Sequence, residues 1–255
     1  MHFHLHGLYL LLCLLTPFIS FCQTVKQTDV FAQTWFGYIN QTRFSSRWGL
    51  WFDAQLYTRQ NMVKGLFQSE IRPGIMYYIN NNTKLAAGYT HLNNFPGDNH
   101  KNISQPEHRT WQQVQWHNNY PRTSTMQWFR LEQRWVRKVA NDSTLAPGSN
   151  YTNRVRYNFL LNVPVYSHQK QTPFAATVNN EVFVNFGKNV VYNYFDQNRF
   201  FAGVTYKFNA NNNLQAGYLN VFQQLAAGNK YRMIHALRVN YFHNLDLRKK
   251  DEVVK

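Results

Sequence analysis

Strict alternation of apolar and polar residues constrains the fold of this chain more than any other feature. Along residues 46–59, one side of an extended strand carries Trp48, Leu50, Phe52, Ala54 and Leu56, and the other side carries mostly polar residues. The alternation lasts for about a dozen residues, whereas strands of soluble domains average about five or six. Such a length is typical of a strand that crosses a bilayer at a tilt.

The same pattern recurs and predicts ten strands. The further segments lie at 67–79, 85–89, 109–116, 125–137, 154–161, 173–185, 199–208, 214–218 and 237–241. Short links at 80–83, 119–124 and 209–213 alternate with long links at 92–108, 139–150 and 187–197, as turns and loops do in outer-membrane barrels, and only the link at 164–172 fits neither class. We therefore predict an all-β fold, a transmembrane antiparallel up-and-down barrel of about ten strands that begins and ends in the periplasm.

Residues 30–40, VFAQTWFGYIN, also alternate like a strand and would make the strand count odd. They belong to a predicted N-terminal segment at 23–45. Two interpretations stay open for them, a strand of a twelve-stranded barrel or a periplasmic or lumenal segment. The predicted barrel covers 46–244, and a charged tail follows at 245–255.

An export signal is predicted at residues 1–22. Residues 8–19 form the only long apolar run, and Ser20 and Cys22 are small residues at the positions that a signal peptidase inspects. A lipoprotein acylated at Cys22 is the alternative. Because Cys13 is the only other cysteine, the mature chain is expected to have no disulfide and no cysteine metal site. The net charge of +15 is typical of nucleic-acid partners, but export argues against them.

The side opposite the apolar residues indicates which face meets lipid, since alternation alone also fits a soluble periplasmic barrel. That polar side holds ten of the fifteen arginines, namely Arg47, Arg59, Arg72, Arg109, Arg130, Arg134, Arg154, Arg156, Arg199 and Arg238. Planar guanidinium groups suit the polar lumen of a closed membrane barrel, where they form hydrogen-bonded networks. We therefore predict lipid outside and an arginine-rich lumen, with interfacial girdles that include Trp48, Trp116, Trp135, Tyr206 and Tyr241.

Several short motifs carry a family resemblance. They are Arg72-Pro73 with Tyr77, Gly88-Tyr89, Arg109 with Trp111-Gln112-Gln113, Arg130-Leu131-Glu132-Gln133-Arg134, Arg154 and Arg156 with Tyr157, Phe195-Asp196-Gln197-Asn198-Arg199, and Gly217-Tyr218-Leu219. In this order they resemble the outer-membrane β-barrel family catalogued as domain of unknown function 2490. The resemblance implies location and fold, and it brings no activity with it. One departure is the charged tail after Tyr241-Phe242, where many barrels end on an aromatic residue that the barrel-assembly machinery reads.

The candidate ligand-binding residues are charged groups on the polar side of the strands. They are Arg72, Arg109, Arg130, Glu132, Arg134, Arg154, Arg156 and Arg199. Arg130, Glu132 and Arg134 alternate along one strand and are expected to meet Arg154 and Arg156 on the next. One interpretation is an ion-pair network that braces a narrow barrel, and the other is a site for a small anion with phosphate or carboxylate groups.

No catalytic set emerges from the sequence. His91, His100 and His108 lie in or beside the longest predicted loop, and neither a metal site nor a cofactor is predicted from them. The leading hypothesis is a porin-like, narrow, anion-preferring pore or a binding and scaffold protein in the outer membrane of a Gram-negative bacterium. A barrel enzyme that acts on lipid or peptide is the alternative. The expected partners are outer-membrane lipid, a small anionic ligand and the assembly machinery.

Overall fold

The computed structural model describes residues 25–60, 64–97, 100–167 and 170–248, and these residues form a closed β-barrel. The eleven strands are β1 (Gln27–Arg43), β2 (Trp48–Gln60), β3 (Lys64–Tyr78), β4 (Thr83–Asn94), β5 (Gln105–Asn119), β6 (Ser124–Asn141), β7 (Thr144–Ser167), β8 (Lys170–Phe186), β9 (Phe195–Lys207), β10 (Asn212–Gln224) and β11 (Lys230–Asp246). The described segments contain no helix that is long and apolar enough to cross a membrane. The predicted signal peptide and the end of the predicted tail lie outside the described residues. The predicted all-β closed barrel is confirmed.

The strand count of ten, with twelve as the alternative, is wrong, because β1 completes a barrel of eleven. β1 contains residues 30–40 and lies between β2 and β11. All other neighbours are antiparallel, but β1 and β11 are parallel, from Gln27 opposite Lys230 to Arg43 opposite Asp246. An odd number of hairpin-linked strands leaves the first and last strands running in the same direction. The barrel therefore begins at one end and finishes at the other, which overturns the prediction that both ends lie in the periplasm.

The two ends of the barrel differ in the length of their connections. The links 44–47, 79–82, 120–123 and 208–211 share one end with the last residue of β11, and we call it the short-turn end. The links 95–104, 187–194 and 225–229 share the other end with the first residue of β1 and with the two-residue turn 142–143 of the long β6–β7 hairpin, and we call it the long-loop end. The predicted links at 139–150 and 164–172 are mostly strand, because β7 is 24 residues long and pairs along both neighbours.

The strands turn their apolar side outward and their polar side inward. On β2, Leu50 is 51% exposed, whereas Asp53 is 1% exposed and Tyr57 is 2% exposed. The same contrast separates exposed Leu131 from buried Arg130 on β6. This arrangement is the reverse of a soluble barrel, which turns its apolar residues inward.

Two apolar clusters fill part of the interior. One contains Ile39, Trp51, Met76, Ala86 and Trp111 near the short-turn end, and the other contains Trp35, Tyr57, Phe201, Leu219, Val221, Ile234 and Ala236. Trp111 fits only because Gly74 and Gly88 face each other beneath its ring. A Cβ atom at either glycine would lie 2.7 Å from Cζ2 of Trp111. The glycines therefore position the largest buried side chain of this wall.

Candidate functional site in the barrel interior

The candidate site is a cavity of about 530 Å³ inside the barrel. Ten arginines line it, namely Arg59, Arg72, Arg109, Arg130, Arg134, Arg154, Arg156, Arg199, Arg232 and Arg238. Six carboxylates are buried in the described part of the chain, namely Asp53, Glu70, Glu107, Glu132, Glu181 and Asp196. The described interior thus holds four more arginines than carboxylates.

Glu132 is the centre of the first ion-pair network. Its carboxylate accepts hydrogen bonds from Arg154 at 2.5 Å and from Arg156 at 2.6 Å. Each arginine also reaches a second acid, since Arg154 lies 2.8 Å from Asp196 and Arg156 lies 2.5 Å from Glu181. The network follows from the register, in which Glu132 on β6 lies opposite Arg154 on β7. It links four strands through side chains alone.

A second network adjoins the first one at β6. Glu107 accepts hydrogen bonds from Arg109 and Arg134, both at 2.6 Å. Glu70 lies 3.9 Å from Arg109 and also pairs with Arg72. Arg72 in turn donates to Asp53 at 2.8 Å. Shared carboxylates therefore connect strands β2, β3, β5 and β6.

The structure brings most of the predicted site residues together, but in different pairs from those expected. Glu132 does meet Arg154 and Arg156, whereas Arg134 turns away to Glu107. Glu107 was missed as an interior group because it falls in a predicted loop, although β5 begins at Gln105. Its spacing of two from Arg109 was the available signal, since alternate residues share a face.

Arg130 is the predicted residue with the most unusual surroundings. Its guanidinium carbon lies 4.8 Å from the ring centroids of Trp111 and Trp128 and 5.8 Å from that of Trp51, which are cation–π distances. Nε donates to Gln113 at 2.8 Å. The buried Nη1 atom has no hydrogen-bond partner. Aromatic faces rather than a carboxylate therefore hold this charge.

Arg199 and Arg238 are held in the same way. Arg199 lies over the rings of Phe183 and Trp35, at 4.6 and 4.9 Å, and donates to Gln197 at 2.9 Å. Arg238 lies 3.6 Å from the centroid of Phe201. It donates through Nη2 to Gln215 at 2.7 Å, and its buried Nε has no partner. Within the described residues, neither of these arginines nor Arg130 forms an ion pair, so positive charge remains uncompensated beside the cavity.

The three histidines considered in the sequence do not come together. His91 and His108 are neighbours on the outer face, with ring centroids 5.2 Å apart. His100 lines the cavity from the loop after β4, and its Nδ1 lies 2.7 Å from the carbonyl oxygen of Ile103. The described part of the chain contains no group of three histidine, cysteine or acidic residues that could hold a metal ion.

Comparison with family models identifies the family of this chain. The model of the family described as "Protein of unknown function (DUF2490)" matches residues 32–232, from early in β1 to the beginning of β11. No curated protein and no solved structure matches the chain.

Proposed function

Since the chain belongs to the DUF2490 family of proteins of unknown function, which confirms the resemblance, we propose its role from the geometry of the barrel. It is an outer-membrane β-barrel of a Gram-negative bacterium that binds a small anion in its arginine-rich lumen. The surplus of arginine beside the cavity is the observation that carries the binding function. The proposal includes a narrow anion-preferring pore, in which the same lumen also conducts the anion.

The outer surface supports the membrane location. Exposed apolar side chains cover it, and a monomeric soluble protein rarely exposes a large continuous apolar surface. Trp116 lies opposite Gln127, and Trp135 stands eight residues further along β6. Eight residues span roughly 27 Å along a strand, or about 20 Å along the axis of a barrel whose strands tilt by about 40°. The axial distance between these two tryptophans approaches the height of the apolar band of outer-membrane barrels, which is about 25 Å.

The interior supports a site that binds an anion rather than a wide open channel. Ion pairs and aromatic rings fill much of it, and the remaining cavity has the size of a small-molecule site. Guanidinium groups bind carboxylate and phosphate through paired, charge-assisted hydrogen bonds. Because Arg130, Arg199 and Arg238 use neutral partners, they retain donors for such an anion. His91 and His108 lie on the outer face and His100 lies at the cavity, so these three residues do not form a common catalytic group.

Calorimetric titration of the purified barrel with inorganic phosphate and with benzoate tests this proposal. Arg238→Gln is expected to weaken binding about tenfold to a hundredfold, because one charge-assisted hydrogen bond is worth about 1.5–3 kcal/mol. The matched control is Arg122→Gln, which removes the same charge from an exposed turn and leaves binding unchanged.

Two further measurements make the test decisive. Outer-membrane fractionation and a heat-dependent gel shift verify that each variant forms a closed barrel. Planar-bilayer recordings separate the pore from the closed binding protein, since only the pore carries an anion-selective current. The binding proposal fails when the folded wild-type barrel neither binds the two anions nor conducts them.

A further inference from the structure

An apolar groove lies on the outer face of the barrel, on the flank formed by β3, β4, β5 and β6. Its volume is about 590 Å³, and large side chains such as Trp48, Leu85, Phe129 and Leu131 form its walls. Ala87 also lines it and lies in the register row between Ile75 on β3 and Gln112 on β5. The groove exists because Ala87 has only a methyl group, whereas the neighbouring positions carry longer side chains.

Polar groups continue the groove toward the short-turn end. A second pocket of about 570 Å³ is lined by residues 80–83 and by Trp116, with residues 117 and 118. Leu85 and Val114 form a register pair in the groove, and Thr83 and Trp116 form the pair two residues further along the same strands. The apolar groove and the amide-rich pocket therefore follow each other along one outer surface.

Two arginine side chains lie near the short-turn end of the groove. Arg47 lies in the exposed turn before β2, and its Nη1 donates to the hydroxyl oxygen of Tyr77 at 2.6 Å. Tyr77 itself lines the groove. No described carboxylate forms an ion pair with Arg47, so the guanidinium group is available to an anion outside the barrel. Arg43 adds a second guanidinium close by, since it donates to Asn81 of the amide-rich pocket at 2.9 Å.

We infer that this flank binds one phospholipid, with an acyl chain in the groove and the phosphate at Arg47 and the turn 80–82. A phospholipid presents an apolar chain and an anionic phosphate in the order in which the groove presents apolar walls and a cation. A second copy of the barrel would cover the apolar walls but would bring an apolar belt rather than an anion to Arg47. The inference rests on the proposed membrane location, and it is independent of anion binding in the interior.

Native mass spectrometry of the barrel with added phosphatidylglycerol tests the inference. We expect one lipid to be retained by the wild type, and Ala87→Phe to lower the retained fraction at least fivefold, because the ring fills the groove. The matched control is Ala176→Phe, the same substitution at an exposed position on β8, far from the groove. Arg47→Gln is expected to weaken retention of phosphatidylglycerol but not of diacylglycerol, which lacks the phosphate.

The possible outcomes separate this inference from the proposed membrane location. Equal retention by Ala87→Phe and Ala176→Phe, both with the heat-dependent gel shift of a closed barrel, overturns the phospholipid site alone. A dimer that disappears only in Ala87→Phe also overturns it and assigns the groove to a second copy. A wild-type protein that fractionates as soluble overturns the membrane location together with the lipid site.

Discussion

Three carboxylates in the interior are each shared by two arginines. Glu132 joins Arg154 and Arg156, Glu107 joins Arg109 and Arg134, and Glu70 joins Arg72 and Arg109. A carboxylate has about four lone-pair sites, and a guanidinium group has five donors in a planar fork. Sharing therefore satisfies both partners with few acids, and it leaves the remaining arginines to aromatic rings and amides.

Removing a shared carboxylate is expected to cost far more than removing an exposed one. Glu132→Gln leaves Arg154 and Arg156 each with one acid partner, and breaking a buried pair in this way costs about 3–5 kcal/mol. Asp142→Asn is the control, because the Asp142 and Lys101 side chains are 46% and 69% exposed and such pairs contribute about 0–1 kcal/mol. Urea unfolding followed by tryptophan fluorescence measures both changes. Similar losses for the two variants would show that the Glu132 network does not stabilise the fold.

At the level of the strands, alternation predicted which side of each strand faces inward but not where strands end. Period two is a local signal, and it identified most strand positions and the inward side of Arg130 and Arg154. In the sequence, the tip of the β6–β7 hairpin resembles a loop because it contains Pro147 and Gly148. In the structure, Gly148 has a φ of +80°, and the pairing of β6 with this part of β7 is irregular. Which acid meets which arginine depends on the register between strands, which no single segment reveals. The same limit hid the pairing of β1 with β11.

A disulfide across the seam between β1 and β11 tests its parallel register. Phe36 and Val239 are direct partners, so Phe36→Cys with Val239→Cys is expected to cross-link on oxidation, because neighbouring strands lie within disulfide reach. Leu245 lies six positions further along the seam from Val239. Phe36→Cys with Leu245→Cys should therefore stay reduced. Gel mobility reports the link, and cross-linking of the second pair instead would indicate a different register.

For the whole molecule, the odd number of strands places the first residue of β1 and the last residue of β11 at opposite ends of the barrel. β1 begins at the long-loop end, and β11 finishes at the short-turn end. If the short turns face the periplasm, as in other outer-membrane barrels, the start of β1 faces the cell exterior. This consequence could not be derived from the sequence, because it depends on the parity of the strand count.

Epitope tags on intact cells measure this orientation. A tag inserted after Gln23, next to the predicted cleavage site, is expected to bind antibody on intact cells, whereas a tag after Lys255 is expected to bind only after the outer membrane is opened. A periplasmic marker protein controls for leakage. Equal protection of both tags would mean that the barrel begins and ends on the same side, which requires an even number of strands.

The parallel seam also determines when the barrel can close during its synthesis. The partners Gln27 and Lys230 are separated by most of the chain, so the edge of β1 has no lasting partner until β11 has been made. Contacts between such distant residues are slow to form, and an unpaired strand edge invites pairing with other chains. The first strand to leave the secretion machinery is thus among the last to be paired along both of its edges. The edge of β1 that will pair with β11 needs protection until β11 has been made.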